Sequence, residues 1–282
     1  MKFLRGLLLG LLIALSVLAS GLAPAYAHDD GDDKGRSLVA FLTGGNEVTN
    51  DGVPNQGDPD GSAIARLQLN PGRGRVCIDA SVQQVDPLTL AHIHKGPAGT
   101  NGPVVVDFTA LISSDGSEVE GCVDADPALV AEILGGPAGF YVNFHNAAFR
   151  GGAVRGQLEP RGSLRSVFRT RLTGAAEVGI PGDPDGRGTA LVTIKATTLE
   201  ACINARVRKV APLILAHIHN APAGANGPVV VDFTQFIKGN SIRGCVTVNP
   251  NLLQAIRSSP ANYYVNVHSE EIPSGALRGQ LK

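Results

Sequence analysis

Apolar and polar residues alternate in short segments along most of this chain. The segment RVCIDASV (75–82) places its valines, isoleucine and alanine on one side of an extended backbone, and β-branched runs at 104–108 and 229–233 follow Gly-Pro turns. Successive side chains of a strand point to opposite faces, so this alternation predicts strands that are buried on one side. The chain's 35 glycines and 18 prolines separate the segments. The pattern is typical of an antiparallel β-sandwich or barrel.

Two segments break the alternation, and each predicts a short helix. Asp126-Pro127 leads into ALVAEIL, and Asn249-Pro250 leads into NLLQAI. Asp or Asn caps the free N–H groups of a helix start, and proline is tolerated in the first helical position. We therefore predict an all-β chain of two tandem antiparallel Greek-key sandwich or barrel domains, each with one short helix.

A long segment of the sequence occurs twice. Residues 88–112 and 213–237 align without a gap, and 19 of the 25 positions are identical. The repeat is domain-sized, which indicates a tandem duplication and not a solenoid. We predict a first domain at 37–160 and a second at 164–282, each long enough for its own core. The short junction between them predicts that the two domains sit close, and any site in one copy should recur in the other.

The N-terminal segment has the features of an export signal. Basic residues at 1–5 precede an apolar run that ends in Ala-Tyr-Ala at 25–27. We predict a signal peptide at 1–27 and an acidic tail at 28–36, and thus a secreted or periplasmic protein. The apolar run is shorter than the roughly 20 residues that a membrane span needs, so no span is expected after cleavage.

The four cysteines divide equally between the repeats. They allow three pairings, and the duplication favours pairing within each repeat. An oxidising compartment makes disulfides the expected state, and the alternative of a thiolate metal site lacks the Cys-x-x-Cys spacing. The predicted pairs are Cys77 with Cys122 and Cys202 with Cys245.

Charge and residue placement exclude several classes of function. Without residues 1–27 the chain has 22 basic and 25 acidic residues. No basic stripe is present, so no nucleic-acid partner is expected. No serine recurs beside the histidines, and Glu47 and Glu177 lack a second repeated acid. The sequence therefore assigns no catalytic residue, and the chain is expected to act without enzymatic activity.

Histidines recur in two strand segments of each repeat. The two histidines of AHIH share a strand face, and the segments YVNFH and YVNVH supply a third. If the two strands are neighbours, the imidazoles converge as candidate ligands for Cu(II) or Zn(II), beside the asparagines Asn143 and Asn266. A second interpretation is a structural polar cluster with cross-strand hydrogen bonds. The candidate ligands are His92, His94 and His145 in the first repeat and His217, His219 and His268 in the second.

These motifs resemble a known family. LTGGNEV, AHIHKGPAGTNGPVV and YVNFHNAAFRGGAVRGQL, with their counterparts in the second repeat, are similar to the CHRD domain of chordin and of many secreted microbial proteins. The resemblance covers nearly all of both repeats. It implies an extracellular or periplasmic binding or structural module whose protein or glycan partner is unknown. Two features depart from the family: Thr49 and Gly179 stand where prolines are common, and the loop after Glu47 is five residues longer than its counterpart.

A narrower similarity concerns AHIH, which resembles the G-x-H-[VI]-H strand of Cu/Zn superoxide dismutases. The resemblance matches the three histidines of each repeat to copper ligands, and Arg155 and Arg278 to an arginine that guides anions. The bridging histidine and the zinc subsite of those enzymes have no counterpart here. The alternative function is therefore that of a copper or zinc metalloprotein with one three-histidine site per domain. Such a protein could also have dismutase-like redox activity.

Overall fold

The computed structural model describes residues 36–282, so the predicted signal peptide and nearly all of the predicted acidic tail lie outside the described residues. Each repeat forms an antiparallel sheet that curls into a barrel or half-barrel, which confirms the predicted all-β class.

In the first repeat, one α-helix and several 3-10 turns connect the strands. The strands are β1 (Arg36–Thr43), β2 (Ser62–Asn70), β3 (Arg75–Gln83), β4 (Leu88–Lys95), β5 (Val104–Asp107), β6 (Glu118–Asp124), β7 (Phe140–Asn146), β8 (Val154–Gln157) and β9 (Glu159–Pro160). The helix is α1 (Pro127–Gly135), and the 3-10 turns are Gly44–Asn46, Thr109–Leu111 and Pro137–Gly139.

The second repeat follows the same plan. Its strands are β10 (Arg165–Thr173), β11 (Arg187–Lys195), β12 (Glu200–Arg208), β13 (Leu213–Asn220), β14 (Val229–Asp232), β15 (Ile237–Lys238), β16 (Ser241–Thr247), β17 (Tyr263–Ser269) and β18 (Leu277–Gln280). The helix is α2 (Pro250–Ser258), and the 3-10 turns are Gly174–Ala176, Ala196–Thr198, Thr234–Phe236 and Pro260–Asn262.

The strand order brings distant parts of each repeat together. The first sheet runs β5-β4-β7-β8-β1-β2-β3-β6, with β9 on β1, and the second runs β14-β13-β17-β18-β10-β11-β12-β16-β15. The histidine-bearing strands β4 and β7 are therefore neighbours, as are β13 and β17. The sequence predicted converging imidazoles only if these strands are neighbours, and in the structure they are neighbours in both repeats.

Strand β3 shows how the alternating pattern produces the core. Val76, Ile78 and Ala80 are buried, while Asp79 and Ser81 between and beside them are exposed. Burying a valine or isoleucine side chain stabilises a fold by about 1.5–3 kcal/mol, so this face holds β3 against the interior.

Both helices begin at the predicted caps. The Asp126 carboxylate accepts a hydrogen bond from Ala128 N at 2.8 Å, and Asn249 Oδ1 accepts one from Asn251 N at 2.9 Å. Val130 and Ile133 of α1 are fully buried in the first core. Neither helix, nor any other helix among residues 36–282, is long and apolar enough to cross a membrane.

The disulfides pair within each repeat, as predicted. Cys77 and Cys122 are direct partners across β3 and β6, and Cys202 and Cys245 are direct partners across β12 and β16. Each bridge therefore fastens the end region of its sheet. Glu200 lies beside the second bridge, but both sulfurs are already bonded to each other and offer no thiolate to a metal.

The two repeats pack directly against each other. Phe41 of β1 is part of the hydrophobic core that the second repeat builds. Polar contacts from α2 reinforce this contact, because Gly45 N donates to Asn251 Oδ1 at 2.7 Å and Arg257 pairs with Glu159 at 3.0 Å. The closeness that the short junction predicted thus includes a shared apolar contact.

Candidate metal centre

The three histidines of the first repeat come from two paired strands. His92 of β4 lies opposite Asn143 of β7, His94 lies opposite Tyr141, and Leu90 lies opposite His145. The register between β4 and β5 shifts at Ile93 and His94, a β-bulge of the kind that redirects side chains at functional sites. The second repeat has the same pairing and the same shift at Ile218 and His219.

The imidazoles of each repeat converge on one point. One ring nitrogen from each of His92, His94 and His145 lies within 4.8 Å of the others. The centroids of the His92 and His145 rings are 5.3 Å apart, and those of His92 and His94 are 5.5 Å apart. The second cluster repeats both distances, 5.3 Å and 5.5 Å, so the two copies are nearly superposable.

Hydrogen bonds fix which nitrogen of each ring carries its proton. His94 Nδ1 lies 2.9 Å from the carbonyl oxygen of Gly102, and His145 Nδ1 lies 3.0 Å from that of Arg150. A carbonyl oxygen can only accept, so Nδ1 donates in both neutral rings and Nε2 keeps its lone pair. His219 and His268 make the matching bonds to the carbonyl oxygens of Gly227 and Pro273, both at 2.9 Å.

The third ring of each cluster lies near a carboxylate. His92 Nε2 lies 3.7 Å from Asp107 Oδ1, and His217 Nε2 lies 3.7 Å from Asp232 Oδ1. These distances exceed a hydrogen bond but favour the proton on Nε2, which leaves Nδ1 with the lone pair. Hydrogen bonds from Thr109 lower the pKa of Asp107, which keeps it ionised. Carboxylate–histidine pairs of this kind are the usual support for metal-binding imidazoles.

Burial keeps the imidazoles neutral. Loss of solvation is the largest cause that lowers the pKa of His92, His94 and His145, and the pKa of His145 falls to about 4. In the second repeat the pKa of His217 and of His268 is also lowered, again mainly by burial. Neutral imidazole is the form that binds metals.

The nitrogens with free lone pairs have no partner within residues 36–282. They are His92 Nδ1, His94 Nε2 and His145 Nε2, with His217 Nδ1, His219 Nε2 and His268 Nε2. The side-chain oxygen of Asn143, opposite His92, is also unpartnered, so the cross-strand hydrogen bond of the structural interpretation is not made. A buried polar group without a partner costs about 1–3 kcal/mol, and three meet at each cluster. Three converging lone pairs in a neutral environment fit a Cu(II) or Zn(II) ion.

A tyrosine and an arginine flank each cluster. Tyr141 stacks on His94, and the Arg155 guanidinium carbon lies 3.4 Å from the centre of the tyrosine ring. Arg155 donates to the carbonyl oxygens of Pro97 and Thr100 and to Asn101 Oδ1. Arg278 makes the same three contacts in the second repeat, and both arginines are almost fully buried. They anchor the Gly/Pro loop after the AHIH strand and do not stand at the protein surface.

Each cluster also has a glutamate beside it, which is buried in the first repeat and partly buried in the second. Asn266 Nδ2 donates to Glu177 Oε2 at 3.4 Å, and Asn143 lies near enough to Glu47 to lower the pKa of its carboxyl. The asparagines that the sequence placed beside the histidines therefore hold a glutamate. Burial raises the pKa of Glu47 to about 8 and that of Glu177 to about 7, although Arg155 and Arg278 oppose the shift. Arg155 thus affects Glu47 through its charge, while its hydrogen bonds go to the loop.

Sequence reasoning named the six histidines, and the alternation in YVNFH and YVNVH placed Tyr141 and Tyr264 on the face of the third histidine. It missed two supporting groups, the aspartates Asp107 and Asp232 and the carbonyl oxygens that orient the rings. The aspartates carried a usable signal, because VVVDFT recurs unchanged in both repeats. The carbonyl oxygens carried none, since every residue has one.

Comparison with protein families gives one match. The family model described as CHRD domain matches residues 38–158 and 168–281, which together are most of the chain. No curated protein matches the sequence.

Proposed function

The chain belongs to the CHRD-domain family, and we propose that each of its two domains is a metal-binding module that holds one Cu(II) or Zn(II) ion. The ligands of this proposal are His92 Nδ1, His94 Nε2 and His145 Nε2, with the equivalent atoms of His217, His219 and His268. We place the protein outside the cytoplasm, because its two disulfides suit an oxidising compartment. No catalytic residue is part of the proposal.

One observation carries the proposal. In each cluster two rings donate from Nδ1 to carbonyl oxygens, and the third has its Nε2 3.7 Å from a carboxylate. The three remaining ring nitrogens have no partner in the described part of the chain, and one nitrogen from each ring lies within 4.8 Å of the others. The arrangement occurs in both repeats with the same atoms and nearly the same distances. A purely structural polar cluster would pair these nitrogens with donors, because an unpaired buried acceptor destabilises the fold.

The donor set limits the choice of metal. Three neutral nitrogens without a thiolate suit Cu(II) and Zn(II), whereas Ca²⁺ and Mg²⁺ prefer oxygen ligands. Three protein ligands also leave at least one coordination position to water or another small donor, which is the pattern of open sites.

Metal analysis of the purified chain tests the proposal. After loading with Zn(II) or Cu(II) and removal of excess metal, we expect about two ions per chain, one per cluster. The variants His94→Ala and His219→Ala should each retain about one ion, and the double variant should retain none. Bound metal should also raise the melting temperature, because it binds the folded state.

The remaining histidine of the chain provides a matched control. His28→Ala removes the one histidine that is not among the candidate ligands, and this variant should retain both ions. Circular dichroism of each variant checks that the sheet content is unchanged. Uptake that is absent in the wild type, or unchanged in the double variant, would overturn the metal site and leave a binding module for a protein or glycan partner.

Dismutase-like redox activity is not part of the proposal. The resemblance assigned anion guidance to Arg155 and Arg278, but their exposed fractions are only 1% and 2%. Their guanidinium groups donate to loop acceptors and are not available at a surface where an anion would arrive.

A further inference from the structure

The two clusters have the same candidate ligands, but the loop that lies next to them differs in length between the repeats. In the second repeat a cleft of about 290 Å³ reaches the cluster. Its walls include His219 and His268, together with Glu177, Ile180 and Asn226. Two of the three candidate ligands of this repeat therefore line a space large enough for several water molecules.

In the first repeat a longer loop spans the corresponding place. Nine residues (48–56) separate Glu47 from Gly57, whereas four (178–181) separate Glu177 from Gly182. The longer loop folds back on itself through a bridge between Val48 and Pro54.

This loop is tied to the residues whose counterparts line the open cleft. Asn101 Nδ2 donates to Val48 O and to Asn50 Oδ1, both at 3.2 Å, and Gly52 lies against the carbonyl oxygen of Gly99. In the second repeat Asn226 makes only the first of these contacts, to Val178 O at 3.0 Å. The extra residues thus extend over the Gly/Pro loop that borders the cluster.

Exposure differs at the neighbouring glutamates, whereas the candidate ligands are equally buried in both repeats, with His92 and His217 each 8% exposed. Glu47 is buried with an exposed fraction of 2%, while its counterpart Glu177 is only partly buried and lines the cleft. Ile180, at the cleft, is 57% exposed. Glu177 Oε1, like Glu47 Oε1, is a buried oxygen without a hydrogen-bond partner in residues 36–282.

Resting on the metal site proposed above, we infer that the second-repeat centre admits a small exogenous ligand of two or three heavy atoms to its metal, whereas the longer loop closes the first-repeat centre. The domain duplication has then produced one open and one closed site from the same ligands. The closed site holds its ion against exchange, and the open site can bind a small inorganic donor.

Copper-loaded single-site variants and azide test this inference. His94→Ala retains only the second cluster, and His219→Ala retains only the first. Each is loaded with one Cu(II) and titrated with azide, followed by electron paramagnetic resonance and by the azide-to-copper absorption band. We expect azide to change the spectra of His94→Ala, and to bind His219→Ala at least about tenfold more weakly, equivalent to about 1.4 kcal/mol.

A loop exchange separates the effect of the loop from other differences between the repeats. In the His219→Ala background, residues 48–56 are replaced by the four residues Val-Gly-Ile-Pro of 178–181. We expect this variant to gain the azide response, a gain that a misfolded protein would not show. Equal azide binding by the two clusters, or no gain after the exchange, would overturn the inference. Failure of both clusters to bind copper would instead overturn the metal site itself.

Discussion

His94 lies flat against Tyr141, with ring centroids 4.8 Å apart and ring planes 7° from parallel. The second repeat repeats this relationship between His219 and Tyr264, at 4.8 Å and 8°. Together with the hydrogen bond from Nδ1 to Gly102, the stack leaves the His94 ring little freedom to rotate. Residues that hold a candidate ligand in place before the metal arrives reduce the ordering that binding would otherwise require.

We therefore predict that the Tyr141→Leu variant binds metal more weakly at the first cluster. Aromatic pairs contribute about 0.5–1.5 kcal/mol beyond their buried area, so the dissociation constant should rise by about two- to twelvefold. Tyr141→Phe keeps the ring but removes the hydroxyl that accepts a hydrogen bond from Gly102 N, so it should retain the part of the affinity that the stack provides. Titration calorimetry in the His219→Ala background isolates the first cluster, and equal affinities of the Leu and Phe variants would contradict the role of the stack.

The aspartate beside His92 supports a second prediction. Asp107→Asn removes the charge that favours the proton on His92 Nε2, 3.7 Å away, and so weakens Nδ1 as a ligand. Loss of such supporting groups lowers metal affinity by about 10- to 100-fold, and we expect a decrease in this range. Asp79→Asn, an exposed carboxylate on β3, should leave the affinity unchanged. A wild-type affinity in Asp107→Asn would show that the carboxylate does not orient the ring.

Much of the fold was predictable because it depends on local pattern. The alternation in 75–82 identified β3, and Asp126-Pro127 and Asn249-Pro250 identified both helix starts, since caps and strand faces are encoded by neighbouring residues. The disulfide pairing followed from the duplication. The convergence of His145 with His92 and His94 was only conditional, because no local signal specifies which strands become neighbours.

The surroundings of the clusters were less accessible to sequence reasoning. Arg155 directs its donors to the loop at 97–101 and affects the Glu47 carboxyl only through its charge. Which acceptor a buried guanidinium chooses depends on loop conformation, which the residue pattern does not encode.

The disulfides allow a prediction about stability. Cys77 and Cys122 are 45 residues apart in sequence, and a bridge that closes a loop of this length stabilises a fold by about 4 kcal/mol on the chain-entropy estimate. We expect the Cys77→Ala/Cys122→Ala variant to lose stability of this order in denaturant unfolding. The pair Cys202→Ala/Cys245→Ala should lose a similar amount, because its separation is 43. A loss below about 1 kcal/mol in both variants would contradict this stabilising role.

The buried glutamates predict a fall in stability as pH rises. Burial raises the pKa of Glu47 from 4.5 to about 8, so the folded protein retains a proton that the unfolded chain releases. The stability that this proton confers is fully present below pH 4.5 and is lost as pH rises towards 8. Glu177, with its pKa raised to about 7, acts in the same direction but is more exposed to solvent, so its effect should be smaller.

The histidines change the free energy of unfolding in the opposite direction, and they do so in a different pH range. Burial lowers the pKa of five of them from 6.5, to about 4 for His145, so the stability contributed by His92, His94, His145, His217 and His268 is complete above pH 6.5 and is lost as pH falls. Between about pH 6.5 and 8 the glutamate effect therefore stands alone, and Glu47 should lower the free energy of unfolding by about 2 kcal/mol. Denaturant unfolding of metal-free protein across this interval should show the decline. Glu47→Gln should remove most of it, whereas Glu120→Gln, an exposed control on β6, should not. An unchanged slope in Glu47→Gln would show that the proton resides elsewhere.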